Sequence, residues 1–389
     1  MEWRKTIFHD RTLPLLSFLV LIIIVSGFIF ISPLFFFIGL LYGLLLLANH
    51  FYDKQAGKGL SVVNVRTQKR MFIGDKGKLE LHFKNTGIPI LKGELKIYFN
   101  EKIGPDKEVE QLEEKHEPIK IPFSIGLREE LSLKIPFAAK KRGVGRVRKI
   151  ILSFPNLFGF SDITLEYTAF WKTEILIYPE LTPIDLLPLE YQWKEGSISK
   201  RNSFFVDTLK LAGVREYKTG DSFHQIHWKA TAKTGSLQTK QFEKVAESSL
   251  LILFNVADGF WWTANLEQII SHIAYIARKA YENNIPISIA VNLLSHGSFT
   301  YQYLAPGEGR SHFAKIMELL AVIDTHQRIL PFKKVLTHIS GTDWDSSLVL
   351  IAGKLSEGEK SLLFTRKKRG NSIFQLLVGE TDSTIVKII

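Results

Sequence analysis

The rhythm of apolar and polar positions changes twice along this chain and divides it into three parts. From Leu13 to Ile31 no residue is charged, and all but four are Leu, Ile, Val or Phe. At about −0.3 to −0.6 kcal/mol per apolar residue, such a run favours insertion into a bilayer by several kcal/mol. At about 1.5 Å per residue it spans nearly the whole hydrocarbon core as a helix. Ser32-Pro33 breaks the run in the manner of a tight turn. A second apolar run from Leu34 to Ala48 closes on Asn49, His50 and Tyr52, residues suited to a membrane interface. The pattern predicts a two-helix transmembrane hairpin over residues 1–54. A cleaved signal peptide fits less well: the first run is too long, no small-residue cleavage site follows, and a second run comes at once. Gly39 and Gly43 form G-x-x-x-G, which lets helices approach closely but is also what many membrane helices contain. Arg4, Lys5 and Arg11 precede the hairpin and Lys54, Lys58 and Arg66 follow it, while the turn is uncharged. The positive-inside rule then places both ends in the cytoplasm.

From about Gly59 to Tyr178 the period becomes two. Lys78 to Lys84 alternates polar and apolar, as a half-buried strand does, and Asn85-Thr86-Gly87 reads as its turn. Further strands are expected at 95–99, 119–123, 131–135 and 147–154, with turn signals about every ten residues. This spacing predicts an all-β sandwich, immunoglobulin-like in general form, over residues 59–178. Lys140, Lys141, Arg142, Arg146, Arg148 and Lys149 form a basic cluster, read as a solvated hairpin tip with lipid headgroups as the alternative contact. Residues 179–202, rich in Pro, Leu and charge without a period, read as a linker.

From residue 203 onward, strands and helices alternate. Leu250 to Val256 is a continuous apolar run, the mark of a parallel strand covered on both faces. A helix is expected over 266–281, a strand over 285–293, a helix over 313–323, a strand over 347–352, a helix over 357–366 and a strand over 374–378. The succession predicts a doubly wound α/β sheet, in which ligands sit at the carboxyl ends of the strands. The segment to inspect is therefore Asn255-Val256-Ala257-Asp258-Gly259, followed by Trp261-Trp262, aromatic residues of the kind partners use as anchors.

Charge and composition narrow the functional classes. The net charge is +11 and 46% of residues are hydrophobic. A basic balance in a membrane-anchored chain is accounted for by an anionic leaflet, so nucleic acid is not expected as a partner. The absence of cysteine excludes disulfides, thiolate metal sites and a cysteine nucleophile. The chain contains neither a P-loop, nor H-E-x-x-H, nor G-x-S-x-G, and no dinucleotide fingerprint.

Between the last two parts lies Gly213-Val-Arg215-Glu-Tyr217-Lys-Thr-Gly220-Asp221-Ser-Phe-His224-Gln-Ile226-His227-Trp228-Lys229-Ala230-Thr-Ala232. This segment resembles the signature of the DUF58 family, and Pro155-Asn-Leu-Phe158-Gly159 is similar to a short segment at the end of that family's sandwich. The resemblance implies a von Willebrand factor A-like α/β domain with a protein-interaction or adaptor role and no established biochemical activity. It also implies a bacterial inner-membrane setting beside MoxR-type AAA+ ATPases and transglutaminase-like membrane proteins. A-type domains often hold a divalent ion on Asp-x-Ser-x-Ser. Here Asn255, Ala257 and Gly259 stand in those places, so no ion or other cofactor is expected. Asp258 offers one ligand, too few for a hard cation. His224 stands where the family usually has Arg.

Asp221, His224 and His227, spaced by three, with Lys229 beside them, suggest metal or acid–base chemistry as an alternative to docking. On a strand the two histidines would face opposite ways. The favoured expectation is structural or docking: Gly220 permits a turn, Asp221 accepts from Arg215 or the backbone, and Trp228 fills the core. Arg215, Tyr217, Asp221, His227, Trp228, Lys229, Asp258, Trp261 and Trp262 are the candidate docking residues, and none is assigned a catalytic role.

Overall fold

A computed structural model of the chain describes residues 2–9, 12–31, 33–63, 67–105, 118–195, 206–244, 249–341, 348–367, 372–379 and 382–388. The chain divides into two compact units, Met1–Tyr178 and Pro179–Ile389. Arg11 and Arg66, counted among the flanking charges, lie outside the described residues, as do residues 196–202 of the expected linker.

The first unit opens with a strand, β1 (Trp3–His9), before helices α1 (Thr12–Ile29) and α2 (Pro33–Gln55). This corrects the expectation that residues 1–54 are all hairpin: the N-terminal segment belongs to a β-sheet. The two helices run antiparallel. A Cβ on Gly27 would meet Phe36, one on Gly39 would meet Ile24 and one on Gly43 would touch Val20. Gly27 and Gly39 thus sit where the helices come closest, which is the use that small residues have in helix pairs. By length and composition α2 is able to cross a membrane, and the apolar helix before it is shorter.

The strands that follow are β2 (Leu60–Val63), β3 (Gln68–Phe72), β4 (Lys76–Asn85), β5 (Ile90–Phe99), β6 (Ile103–Pro105), β7 (Ile119–Ile125), β8 (Glu130–Ala139), β9 (Gly143–Pro155), β10 (Ser161–Tyr167) and β11 (Glu174–Tyr178). One sheet runs β2-β4-β8-β6. The other runs β1-β10-β9-β11-β3, with β5 also on β9 and β7 on β5. β4 alternates as its sequence does, with Leu79, Leu81 and Phe83 buried and lysines, glutamate and histidine outside. These residues pack with Ile135 and Phe137 of β8 against Leu95, Ile97, Phe123, Leu152, Phe154 and Leu165 of the other sheet in one core. Phe83 and Phe123 meet edge to face at 5.0 Å between ring centroids, and each such side chain contributes about 1.5–3 kcal/mol by burial. The unit is thus a two-sheet β-sandwich. The basic cluster is not one hairpin tip. Half of it, Arg146, Arg148 and Lys149, lies along β9, where Arg146 pairs with Glu174 and Lys149 with Glu166, while in the β8–β9 turn Arg142 is buried.

The second unit begins with residues expected to be linker. Leu187–Glu195 is instead a helix, α3, with Leu186 and Leu189 buried. The buried His272 ties the segment down, donating from Nδ1 to Thr182 O at 3.1 Å while Nε2 accepts from Ser383 Oγ at 2.9 Å. Apolar side chains without a clean period still find a surface when a neighbouring sheet supplies it.

A two-stranded ribbon follows, β12 (Val206–Glu216) with β13 (Gln238–Lys244), and between them a short helix, α4 (Trp228–Thr234). The main sheet contains β14 (Leu250–Phe254), β17 (Ile287–Leu294), β18 (Tyr301–Gly307), β19 (Leu348–Ala352), β20 (Ser372–Val378) and β21 (Ser383–Lys387). β15 (Ala257–Asp258) and β16 (Trp261–Trp262) form a small hairpin beyond the end of β14. The sheet order is β18-β17-β14-β19-β20-β21. β17, β14, β19 and β20 are parallel, and the strand at each edge is antiparallel. Helices α5 (Leu266–Glu282), α6 (Gly309–Val322), α7 (Phe332–Gly341) and α8 (Glu357–Lys367) connect them. Every residue of β14 and β19 is buried, which is why their sequences are apolar without alternation. Counted within the sheet the order is 3-2-1-4-5-6, the doubly wound arrangement whose ligand crevice lies where the order reverses, between β14 and β19.

Candidate functional site

Two places in the second unit carry the candidate residues: the switch point of the sheet, and the ribbon with the segment it encloses. At the switch point β14 is followed at once by Asn255, which is buried. Asn255 Nδ2 donates to Lys354 O at 2.7 Å, just past the end of β19. Asn255 Oδ1 accepts from Asn292 Nδ2 at 2.8 Å and from Ala257 N at 3.1 Å. Asn292, fully buried on β17, also donates to Leu330 O at 3.0 Å and accepts from Val256 N at 2.8 Å. Two amides thus lace the ends of three strands together. Gly353 lets them close: its φ is +108°, and a Cβ there would stand 2.2 Å from Asn255 O.

This donor set does not fit a hard cation. Such an ion needs several free oxygens. Asn255 Oδ1 is occupied by two N–H donors, Ala257 and Gly259 offer no side-chain oxygen, and Asp258 is bound by Lys354 Nζ at 2.6 Å. Among the described residues no group of three or more His, Asp or Glu is placed to hold a metal.

Beyond this closed crevice the β15–β16 hairpin turns through Gly259, φ +65°, and Phe260. The two-residue loop leaves Phe260 fully exposed and Trp261 80% exposed, while Trp262 is half-buried. Phe260 is the more exposed neighbour of the expected pair. Its signal was available: in Asp258-Gly259-Phe260-Trp261 the glycine marks a turn, and a turn residue has nothing behind it to pack on.

In the second place, Asp221 organises the signature segment. Arg215 grips it in a bidentate pair, Nη1 and Nη2 each 2.7 Å from a carboxylate oxygen. The Lys218 amide donates to the same carboxylate at 3.0 Å and Thr239 Oγ1 at 3.2 Å, and the Tyr217 hydroxyl reaches the Asp221 carbonyl at 3.3 Å. The Arg215 guanidinium first, then the Lys218 amide, hold the Asp221 carboxyl well below the usual carboxylate range. A carboxylate so stabilised is a poor proton acceptor. Because its folded pKa is depressed, the stabilisation is fully present above the unfolded value and is lost as pH falls through the folded one. Comparing acid unfolding of the native chain with Asp221→Asn should show a native advantage at neutral pH that begins to shrink below about pH 4. An advantage constant from neutral to strongly acid pH would mean that the pair is not its source.

His227 caps α4. Its Nδ1 accepts from Ala230 N at 3.0 Å, which requires the proton on Nε2. Gly235, φ +76°, ends the helix. Trp228 therefore opens a helix rather than a strand, and at 62% exposure it does not fill the core. The core position is taken by Ile226, which bridges to Thr239. The caps, not the aromatic residue, decide the local structure. His224 and Lys229 are exposed, and Phe223 joins Trp228 as an exposed ring.

The fold and the site define a chain that carries an apolar helix near its N-terminus, a β-sandwich, and a doubly wound α/β unit introduced by a braced ribbon. Residues 213–357 match the family model described as "Protein of unknown function DUF58", from the Arg215–Asp221 brace through the amide-laced crevice. The "Uncharacterized protein YeaD" of Bacillus subtilis (strain 168) is 25% identical over 199 residues, 50% of this chain and 46% of that protein, so the match spans about half of the relative's length. Among solved structures, the CARDB domain of the PF1109 protein from Pyrococcus furiosus is similar at 14% identity. It covers 30% of this chain and 86% of its own, with a TM-score of 0.18. A PapD-like domain of human CEP192 is similar at 9% identity, over 31% and 84% respectively, with a TM-score of 0.19. Likeness at these TM-scores carries no argument about fold or function.

Proposed function

We propose that this protein is a multi-pass membrane protein whose cytoplasmic body is an interaction module, working with a MoxR-type AAA+ ATPase in an envelope-related or protein-maturation process. The Phe260–Trp261 hairpin is the observation that carries the interaction reading. Two large aromatic side chains stand in solvent at the mouth of the sheet, beside a crevice closed to ions by its own amides and lysine. Exposed aromatic residues of this kind are typical anchors of protein interfaces.

Chain connectivity supports the membrane reading. β1 precedes α1 and β2 follows α2, yet both strands belong to the first unit. If α2 alone crossed the bilayer, one of these strands would lie on the wrong side of it. On the membrane reading both helices therefore cross. α1, at 18 residues, is about 27 Å long at 1.5 Å per residue, close to the thickness of the hydrocarbon core. Arg4, Lys5, Lys54 and Lys58 at the shared end favour the cytoplasmic side. On this reading the sandwich is the immunoglobulin-like spacer and the sheet is the von Willebrand factor A-like domain that the resemblance implies, with a transglutaminase-like membrane protein as a further partner.

A photo-crosslinking residue at position 260, tested in intact cells, should trap a AAA+ ATPase. The same probe at the buried position 254 should not. Equal or absent trapping from position 260 overturns the interaction reading. A reporter fused after Ile389 and active only outside the cell overturns the orientation.

A further inference from the structure

The strand registers place several loops of the sandwich at the end from which the helices leave. In one sheet, His9 at the end of β1 pairs with Ser161 at the start of β10, and Pro155 at the end of β9 pairs with Asp162. Ile90 at the start of β5 pairs with Ile125 at the end of β7. In the other sheet, Leu60, which follows α2, pairs with Asn85, and Lys84 pairs with Glu130. The β4–β5, β7–β8 and β9–β10 turns therefore share one end with the entry to α1 and the exit from α2. The connections are short. From His9 to Thr12 the chain reaches at most about 11 Å.

Exposed apolar side chains line this end: Phe8, Leu91, Leu127, Leu157 and Phe158, from 42% to 65% exposed. Lys92 and Arg128 stand among them, also exposed. The turns are built, not slack. The buried Asn85 donates to Ile88 O at 3.0 Å and to Gly126 O at 2.8 Å and accepts from Gly87 N at 3.0 Å, joining two of the three. The Tyr52 hydroxyl on α2 donates to Pro89 O at 3.0 Å. In the third turn Asn156 Oδ1 accepts from Phe160 N at 2.8 Å and Gly159 takes φ +79°, leaving Leu157 and Phe158 outward. Exposure alone does not single out this end, since Phe72 and Phe170 are exposed elsewhere on the unit. The chain connections do, because they bring these turns within a few residues of the helices.

We propose that this rim is a membrane-contact surface: the turns bearing Leu91, Leu127, Leu157 and Phe158 seat in the headgroup and upper acyl layer, so that the sandwich is docked on the bilayer rather than tethered above it. Apolar residues flanked by lysine and arginine match that layer, which takes rings and aliphatic chains inward and leaves cations at anionic headgroups. The proposal rests on the membrane reading above, and the two are separable by experiment.

The chain contains no cysteine, so each introduced thiol is unique. The full-length variants Phe158→Cys, Leu127→Cys, Leu40→Cys and Phe170→Cys are labelled with an environment-sensitive fluorophore. They are then reconstituted into phosphatidylcholine–phosphatidylglycerol vesicles carrying spin-labelled lipids with the quencher at a shallow or a deep position. Positions 158 and 127 should lose fluorescence with the shallow quencher, position 40 with the deep one, and position 170 with neither. If position 40 is quenched while 158 and 127 behave like 170, the sandwich stands off the bilayer and the docking inference fails alone. If position 40 is not quenched by either, the membrane reading fails and takes the inference with it.

Discussion

Gly353→Ala should be among the most damaging single substitutions in the second unit. At φ +108° an L side chain is strained, and its Cβ would stand 2.2 Å from the Asn255 carbonyl oxygen, where backbone must move to make room. Left-handed strain alone costs about 1–3 kcal/mol. Displacing Asn255 also disturbs the amide pair with Asn292, whose buried polar groups are expensive to leave unpaired. A combined cost of about 3 kcal/mol or more lowers the midpoint of thermal unfolding by about 6–12 °C in a unit of this size. Gly358→Ala is the matched control: it lies in α8 with open space around its Cβ, and alanine is the better helix former there. Thermal unfolding of the detergent-solubilised full-length chain checks both, and equal midpoints for the two variants would mean that the close approach at Gly353 does not exist.

Phe260→Ala and Trp261→Ala should have the opposite profile, little change in stability and a large loss of binding. Both side chains are exposed, so each substitution is expected to shift stability by no more than about 0.5 kcal/mol. An aromatic anchor at an interface is worth about 2 kcal/mol or more, which is about 30-fold in affinity. The double variant should then retain its melting temperature and recover little AAA+ ATPase from native membranes. Trp262→Ala is unsuitable for this purpose, since Trp262 is half-buried and its loss would weaken the hairpin itself. Full recovery of the ATPase by a stably folded double variant would exclude this hairpin as the docking site.

Those expectations trace back to features unequally legible in the sequence. The apolar runs of α1 and α2, the alternation of β4 and the unbroken run of β14 are local patterns, and each reports how many faces of its element are covered. β1 was not legible in this way. Trp3 to His9 contains two cations and precedes a membrane run, so it reads as a flanking segment, and its partner strand lies more than 150 residues away. α4 is too short for a period to emerge, and only its caps, His227 and Gly235, mark it. At the switch point the scarcity of side-chain oxygens could be read directly from Asn255, Ala257 and Gly259. The partners of Asn255 and Asp258 could not, because Asn292 and Lys354 lie far along the chain. Trp228 shows that size and apolarity do not by themselves place a residue inside.

The position of β1 also has a consequence for biosynthesis. Trp3–His9 is synthesised before both apolar helices, yet its hydrogen-bonding partner Ser161–Tyr167 follows them and most of the sandwich. At about 5–20 residues per second, the first strand waits on the order of ten seconds or more with its edge open. Both apolar helices are completed within that interval. The sheet is therefore closed late, by a strand made well before its partner.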